Sequence, residues 1–90
     1  MKLHYLAGRH CGLCKVIAPA VTSLCQQHGV TFCNYFELPV MPEHVRGAIL
    51  AAKVDKLPII AVETEDGQVT VFRRDDDGRL NLKKLEGMMK

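Results

Sequence analysis

The apolar residues of the chain follow two different periods, and the switches between them mark the elements. Residues 2–6 (Lys2-Leu3-His4-Tyr5-Leu6) form a short, largely apolar run cut off at Gly8, which predicts a buried strand. From Leu13 the period lengthens. Leu13, Val16, Ile17, Ala20, Val21, Leu24 and Cys25 stand at offsets 0, 3, 4, 7, 8, 11 and 12, an unbroken stripe along one side of a helix. Cys14 falls at the edge of that stripe and Cys11 well off it, so Cys11 is predicted to be exposed and Cys14 partly covered. Pro19 lies inside the helix, where it removes one backbone hydrogen bond and bends the axis. Gly29 stops the helix, with His28 in its last turn.

Residues 30–37 are β-branched and aromatic and predict a second strand. Pro39 and Pro42 bracket a connection. A second helix opens at Pro42 or Glu43 and runs to about Ala52, with Val45, Ala48, Ile49 and Ala52 on one face. Leu57-Pro58 precedes a third strand at residues 59–63. Asp66-Gly67 is a tight-turn signal, and residues 68–73 return as an antiparallel fourth strand. Asn81 can cap a last helix whose inner side is Leu82, Leu85, Met88 and Met89. The order β-α-β-α-β-β-α begins with a parallel pair and ends with a hairpin. It closes most simply as a four-stranded mixed sheet flanked by helices on both faces, an α/β domain spanning 1–90.

Composition narrows the function classes. Apolar residues make up 48% and charged residues 24%, which is globular rather than disordered. A net charge of +2 with no basic run gives no case for nucleic acid, and Asp75-Asp76-Asp77 reads as a solvated turn. No stretch approaches the roughly 20 apolar residues of a membrane span. The N-terminal apolar run is too short for a signal peptide. The chain therefore reads as cytoplasmic. In that compartment a Cys-x-x-Cys pair is catalytic or metal-binding more often than structural.

That pair is Cys11-Gly12-Leu13-Cys14. Two thiols three residues apart can close a disulfide, and a helix starting there would lower the pKa of the first. Arg9, His10 and Lys15 are close in sequence and favour a thiolate. Cys11 is then the nucleophile and Cys14 the resolving thiol. A zinc reading competes, because the chain has four cysteines. Cys14 and Cys25 lie on one helix, separated by roughly 16 Å at 1.5 Å per residue, so they can share neither one ion nor a disulfide. A subset of His10, Cys11 and Cys14 could still bind a metal or bridge two chains. Cys25 and Cys33 read as small buried apolar residues. His4 reads as a packed strand residue, and His28 and His44 as surface residues at helix ends.

The segment Cys11-Gly12-Leu13-Cys14-Lys15-Val16-Ile17-Ala18-Pro19 resembles the active-site segment of thioredoxins, usually Cys-Gly-Pro-Cys-Lys-Met-Ile-Ala-Pro, at seven of nine positions. The element order resembles the shorter glutaredoxins, and Leu57-Pro58 resembles the cis-proline that faces the dithiol in both. The resemblance implies a thioredoxin fold and thiol-disulfide oxidoreductase activity. It implies that Leu57 presents backbone N–H and C=O to an extended substrate beside Pro58, with His10, Gly12 and Leu13 completing the substrate surface. Three positions depart from the thioredoxin pattern. Leu13 replaces a proline, His10 replaces a tryptophan, and Tyr5 stands where thioredoxins carry a buried aspartate on the preceding strand.

The same resemblance implies disulfide-containing substrate proteins as partners, no bound cofactor or metal, and a monomer. The electron donor is either a thioredoxin-reductase-like flavoprotein or glutathione. Glutaredoxins hold glutathione partly through a Gly-Gly and an Asp before the last helix. Here that region is Asp75-Asp76-Asp77-Gly78-Arg79, without the Gly-Gly, while Arg9, Lys15, Arg73 or Arg74 could pair a carboxylate. The alternatives are a glutathione-dependent enzyme or a redox-inactive binding or metal module on the same fold.

Overall fold

The computed structural model describes residues 1–90. Strand β1 (Lys2–Leu6) pairs in parallel with β2 (Thr31–Tyr35) on one side and antiparallel with β3 (Ile59–Glu63) on the other. Strand β4 (Val69–Val71) pairs antiparallel with β3, giving the order β2-β1-β3-β4. Helices α1 (Gly12–His28), α2 (Glu43–Ala52) and α3 (Leu82–Met88) follow in the predicted order. A short 3-10 turn at Leu38–Val40 fills the connection between the two prolines. No helix is long and apolar enough to cross a membrane.

Alternation along β1 divides the core in two. Leu3, Tyr5 and Ala7 join Ile60, Val62 and Phe72 beneath α1 and α3. Leu6 joins Ile59 and Ala61 beneath Met41, Val45 and Ile49 of the α2 segment. Burying an aliphatic side chain such as Val21 or Leu85 on one face and Val45 or Ile49 on the other contributes about 1.5–3 kcal/mol, so the sheet is held from both sides. The helix ends close as their residues require. Gly29 (φ 66°) donates to the Cys25 carbonyl, and the Asn81 side chain accepts from Lys84 N–H. The His28 imidazole bonds Glu86 at 2.8 Å, tying the last turn of α1 to α3.

The buried side of α1 is not the predicted stripe. Its buried residues are Cys14, Val21 and Cys25, with Ala18 half-buried between them. Leu13 and Val16 are 44% and 72% exposed. The helix is turned by about a quarter-turn from the expected orientation, and Cys14 lies within the covered line rather than at its edge. The physical reason is side-chain size. Cys14, Ala18, Val21 and Cys25 are small and let the helix lie close on the sheet. Apolar periodicity reports which residues could be buried, not which have an element to pack against.

Two strands are shorter than predicted. β2 ends at Tyr35, leaving Phe36 and Glu37 exposed beyond the sheet. β4 spans three residues, with one further bond from Phe72 N–H to the Ile60 carbonyl. Cys33 is half-buried rather than buried, because β2 is an edge strand.

Candidate active site

The chain leaves β1 through residues 7–10 and turns into α1. Cys11 N–H donates to the Gly8 carbonyl at 3.3 Å. Cys11 keeps extended backbone (φ −99°, ψ 104°) and is the N-cap of α1. Its Sγ accepts the N–H of Cys14 at 3.1 Å, the place that a Ser or Asp oxygen commonly fills. The first N–H groups of a helix have no intrahelical partner, and with the partial positive charge of that end they favour an anionic sulfur. Cys11 is half-buried, whereas Cys14, one turn on, is 1% exposed. The two sulfurs form a disulfide with Cα atoms 5.3 Å apart.

The loop before β3 faces this pair. The Leu57-Pro58 peptide bond is cis, and the Leu57 side chain is partly exposed. A Cβ on Gly8 would lie 2.7 Å from Leu57 Cδ1 and 3.2 Å from Cys11 Cβ. Glycine at position 8 is what allows Leu57 to approach the dithiol. The Leu57 carbonyl accepts from Arg74 Nη2 at 2.8 Å, and Arg74 Nη1 reaches the Gly78 carbonyl at 3.4 Å. A carbonyl oxygen has two lone pairs, so one acceptor position on Leu57 remains.

Tyr5 lies beneath the pair on the sheet. Its ring is fully buried and tilted against Phe32 at 5.4 Å, and its hydroxyl donates to the Cys14 carbonyl at 2.7 Å. Burial pushes its pKa up to about 12, so it stays a neutral donor. A cavity of about 120 Å³ opens beside it, lined among others by Cys14, Lys15, Asn34 and Phe36 and by no carboxylate.

The other sequence-predicted residues divide. Lys15 stands on the cavity wall. Gly12, Leu13 and His10 are exposed around the dithiol's end of α1. Arg9 is turned toward the residues that follow β2, where it bonds Glu37 at 3.3 Å and lies 5.8 Å from the Phe36 ring centre. That pair is exposed, with the guanidinium drawn toward Glu37. Sequence reasoning missed three contributors: Gly8 as a close-approach position, Arg74 as the holder of Leu57, and the Tyr5 bond. Only Tyr5 had a legible signal, since it shares the strand parity of Leu3 and Ala7.

Two other polar regions lie apart from the sulfurs. On the α2 face, His4 is 2% exposed; its Nε2 bonds Glu63 at 2.7 Å and its Nδ1 lies 3.1 Å from the Tyr35 hydroxyl. His44 bonds the other Glu63 oxygen at 3.0 Å. Hydrogen bonds from His4 and then His44 hold the Glu63 carboxyl below the usual carboxylate range. Beyond Leu57, an open cleft of about 500 Å³ carries Lys56, Arg73 and Arg74 beside Asp75, Asp76 and Asp77. No group of three or more His, Cys, Asp or Glu side chains is arranged to hold a metal ion.

Comparison with known proteins gives the fold. No family model matches the sequence, and no curated protein matches it. Among solved structures the chain is similar to thioredoxin 1 from the thermophilic eubacterium Thermosipho africanus TCF52B. The two share 12% sequence identity with a TM-score of 0.69, over 99% of this chain and 90% of that one. The chain has a thioredoxin fold.

Proposed function

We propose that the protein is a thiol-disulfide oxidoreductase that reduces protein disulfides with Cys11 as nucleophile and Cys14 as resolving thiol. The observation that carries this reading is the asymmetry of the pair. Cys11 caps a helix with its sulfur on the Cys14 N–H and is partly open to solvent, while Cys14 is buried one turn further in. In the reduced protein the Cys11 thiolate attacks one sulfur of a substrate disulfide and releases the other as a thiolate. Cys14 then loses its proton and attacks the Cys11 sulfur of the mixed disulfide. The Cys11–Cys14 bond forms, the second substrate sulfur leaves and takes up a proton, and two electrons have passed to the substrate. Leu57, with one free carbonyl lone pair, and the exposed Leu13 and Val16 are suited to hold an extended chain across the dithiol.

Insulin disulfide reduction tests the assignment. Cys11→Ser abolishes turnover, and Cys14→Ser accumulates a mixed disulfide visible by mass spectrometry; full activity in Cys11→Ser would sink the proposal. One observation favours a second electron donor beside a flavoprotein reductase. The cleft next to Leu57 carries both signs of charge, which suits a zwitterion such as glutathione. Recycling of the oxidised protein by glutathione alone, at a rate that supports turnover, would select it.

A further inference from the structure

Cys14 has to do two things that its surroundings oppose. It is buried, and its sulfur must move between Cys11 and a mixed disulfide while its backbone keeps the aim. The first turn of α1 is weakly fixed by its own bonds. Pro19 has no N–H to give to the Lys15 carbonyl one turn before it, and the N-terminal N–H groups have no intrahelical acceptor. Tyr5 adds an anchor from outside the helix, on the carbonyl next to the one that Pro19 leaves free. It reaches up from the centre of the sheet and donates to the Cys14 carbonyl at 2.7 Å, while the Cys14 N–H is held by Cys11 Sγ at 3.1 Å. The Cys14 residue is thus tied at both ends of its backbone, and the tie at the carbonyl end does not depend on the disulfide. The phenol is itself immobile, fully buried in a strand that is paired on both sides and set against Phe32.

We infer that Tyr5 is a positioning residue for the resolving step: it fixes the Cys14 peptide so that the Cys14 sulfur reaches the Cys11 mixed disulfide, and it takes no part in the proton transfer. The inference rests on the dithiol reading above. No carboxylate lines the cavity beside Cys14, and His10, the titratable group next in sequence to Cys11, is exposed outside that cavity. Tyr5 on β1 is a neutral donor whose proton is already placed on the carbonyl. Asn34 on β2 and Phe36 just beyond it do not ionise, and Lys15 on α1 is the one basic side chain on the cavity wall. Glu37, beyond the end of β2, is paired with Arg9. The Cys14 proton therefore leaves to a solvent or buffer base through the cavity beside Tyr5, and the thiolate so formed displaces the substrate sulfur from Cys11.

The test uses 5,5′-dithiobis(2-nitrobenzoate), whose coloured thiol reports each step separately. The reduced protein carries Cys33→Ala, which removes the half-buried thiol on β2. Cys11 attack releases the first equivalent, and Cys14 resolution releases the second. In Tyr5→Phe the first phase stays within about twofold, and the second slows about tenfold, the factor that corresponds to about 1.4 kcal/mol, near the cost of one buried hydrogen bond. The pH midpoint of the second phase stays where it is in the parent. An unchanged second phase, or equal slowing of both phases, overturns the positioning role. A shifted midpoint overturns the claim that Tyr5 stays out of the proton transfer. Failure of the parent protein to release even the first equivalent overturns the dithiol reading itself, and this inference with it. Tyr5→Leu keeps the test decisive if Tyr5→Phe packs differently, because it too must slow the second phase selectively.

Discussion

His4 and Tyr5 are neighbours on β1, both buried and both polar, and they face opposite sides of the sheet. His4 ends in a closed network. Its two ring nitrogens face Glu63 and Tyr35, Glu63 is shared with His44, and the four residues tie β1, β2, β3 and α2 together. Tyr5 makes one side-chain bond, to the backbone of a cysteine whose sulfur can move, and a cavity lies beside it. Exposed apolar side chains do not separate the two faces: Val16 and Phe36 are exposed near the dithiol, and Val40 and Leu50 are as exposed on the α2 side. The polar bonds do separate them. A saturated polar cluster builds the fold, and the candidate site lies where a polar bond ends on a reactive residue.

The largest way to test that contrast is to open the closed network. His4→Ala leaves the mostly buried Glu63 carboxylate without its closest partner and empties a fully enclosed volume. The expected loss of stability is about 2–4 kcal/mol by urea unfolding, from leaving one Glu63 oxygen and the Tyr35 hydroxyl without their partner, plus a cavity. Dithiol reactivity in the variant should match the parent under conditions where both are folded. Normal stability with lost exchange would reverse the roles of the two faces.

The network should also show in acid. The Glu63 carboxyl is lowered in the folded protein, first by the His4 hydrogen bond, so in the acid range the unfolded chain binds more protons than the folded one. Its contribution to stability is present above the unfolded pKa and is lost as pH falls through the lower folded value. Urea midpoints should therefore fall below about pH 5, and Glu63→Gln should flatten part of that fall. Exposed Glu65 and Asp66 and half-buried Glu86 are lowered too, by the N-terminus, Thr64 and His28 respectively, so a residual slope stays in the variant. An unchanged slope would remove Glu63 from the network's energetics.

These two faces were not equally legible in the sequence. Element order, the Gly29 and Asn81 caps, the Asp66-Gly67 turn and the Cys11–Cys14 pair follow from local chemistry, and local chemistry is what a sequence displays. The rotation of α1 does not, because Leu13 and Val16 are as apolar as Val21 and only the sheet decides which of them it covers. Arg9 looked like a thiolate partner by its nearness in sequence, yet Glu37, 28 residues away, holds it. The His4 cluster draws on four separate elements, so no window of sequence contains it. Tyr5 was visible by its strand parity with Leu3 and Ala7 and as a departure from the thioredoxin pattern. What it does depends on a bond to a carbonyl, which no side-chain pattern encodes.

A smaller perturbation separates access to the dithiol from its chemistry. Gly8→Ala places a Cβ 2.7 Å from the end of the Leu57 side chain and 3.2 Å from Cys11 Cβ. Leu57 can swing aside, so the stability cost is about 1 kcal/mol. Because the displaced side chain lies against the dithiol, reduction of a peptide disulfide should slow about three- to tenfold, mainly through KM, a loss of about 0.7–1.4 kcal/mol in transition-state binding. A loss confined to kcat would mean that Gly8 serves the sulfurs themselves rather than the approach of substrate.

The smallest expected change in stability is the one that presses hardest on the reading of the exposed surface. Val16 lies on α1 one turn beyond the cap, 72% exposed, within the nine-residue segment that carries the pair. Serine and valine have similar helix propensities, and an exposed site has little packing to lose, so Val16→Ser should move stability by no more than about 0.5 kcal/mol. A small aromatic disulfide needs no surface beyond the sulfurs and should react at the parent rate. A folded protein substrate has to cover the end of α1, and loss of the valine contact should raise its KM about two- to fivefold, the equivalent of part of one buried side chain. Equal effects on both substrates would place Val16 with the chemistry, and no effect on either would leave the apolar rim without a role in recognition. The contrast between the faces then comes down to one measurable difference: on the α2 face, substitution chiefly changes stability and leaves exchange alone, whereas at the dithiol end it chiefly changes the handling of large substrates and costs little stability.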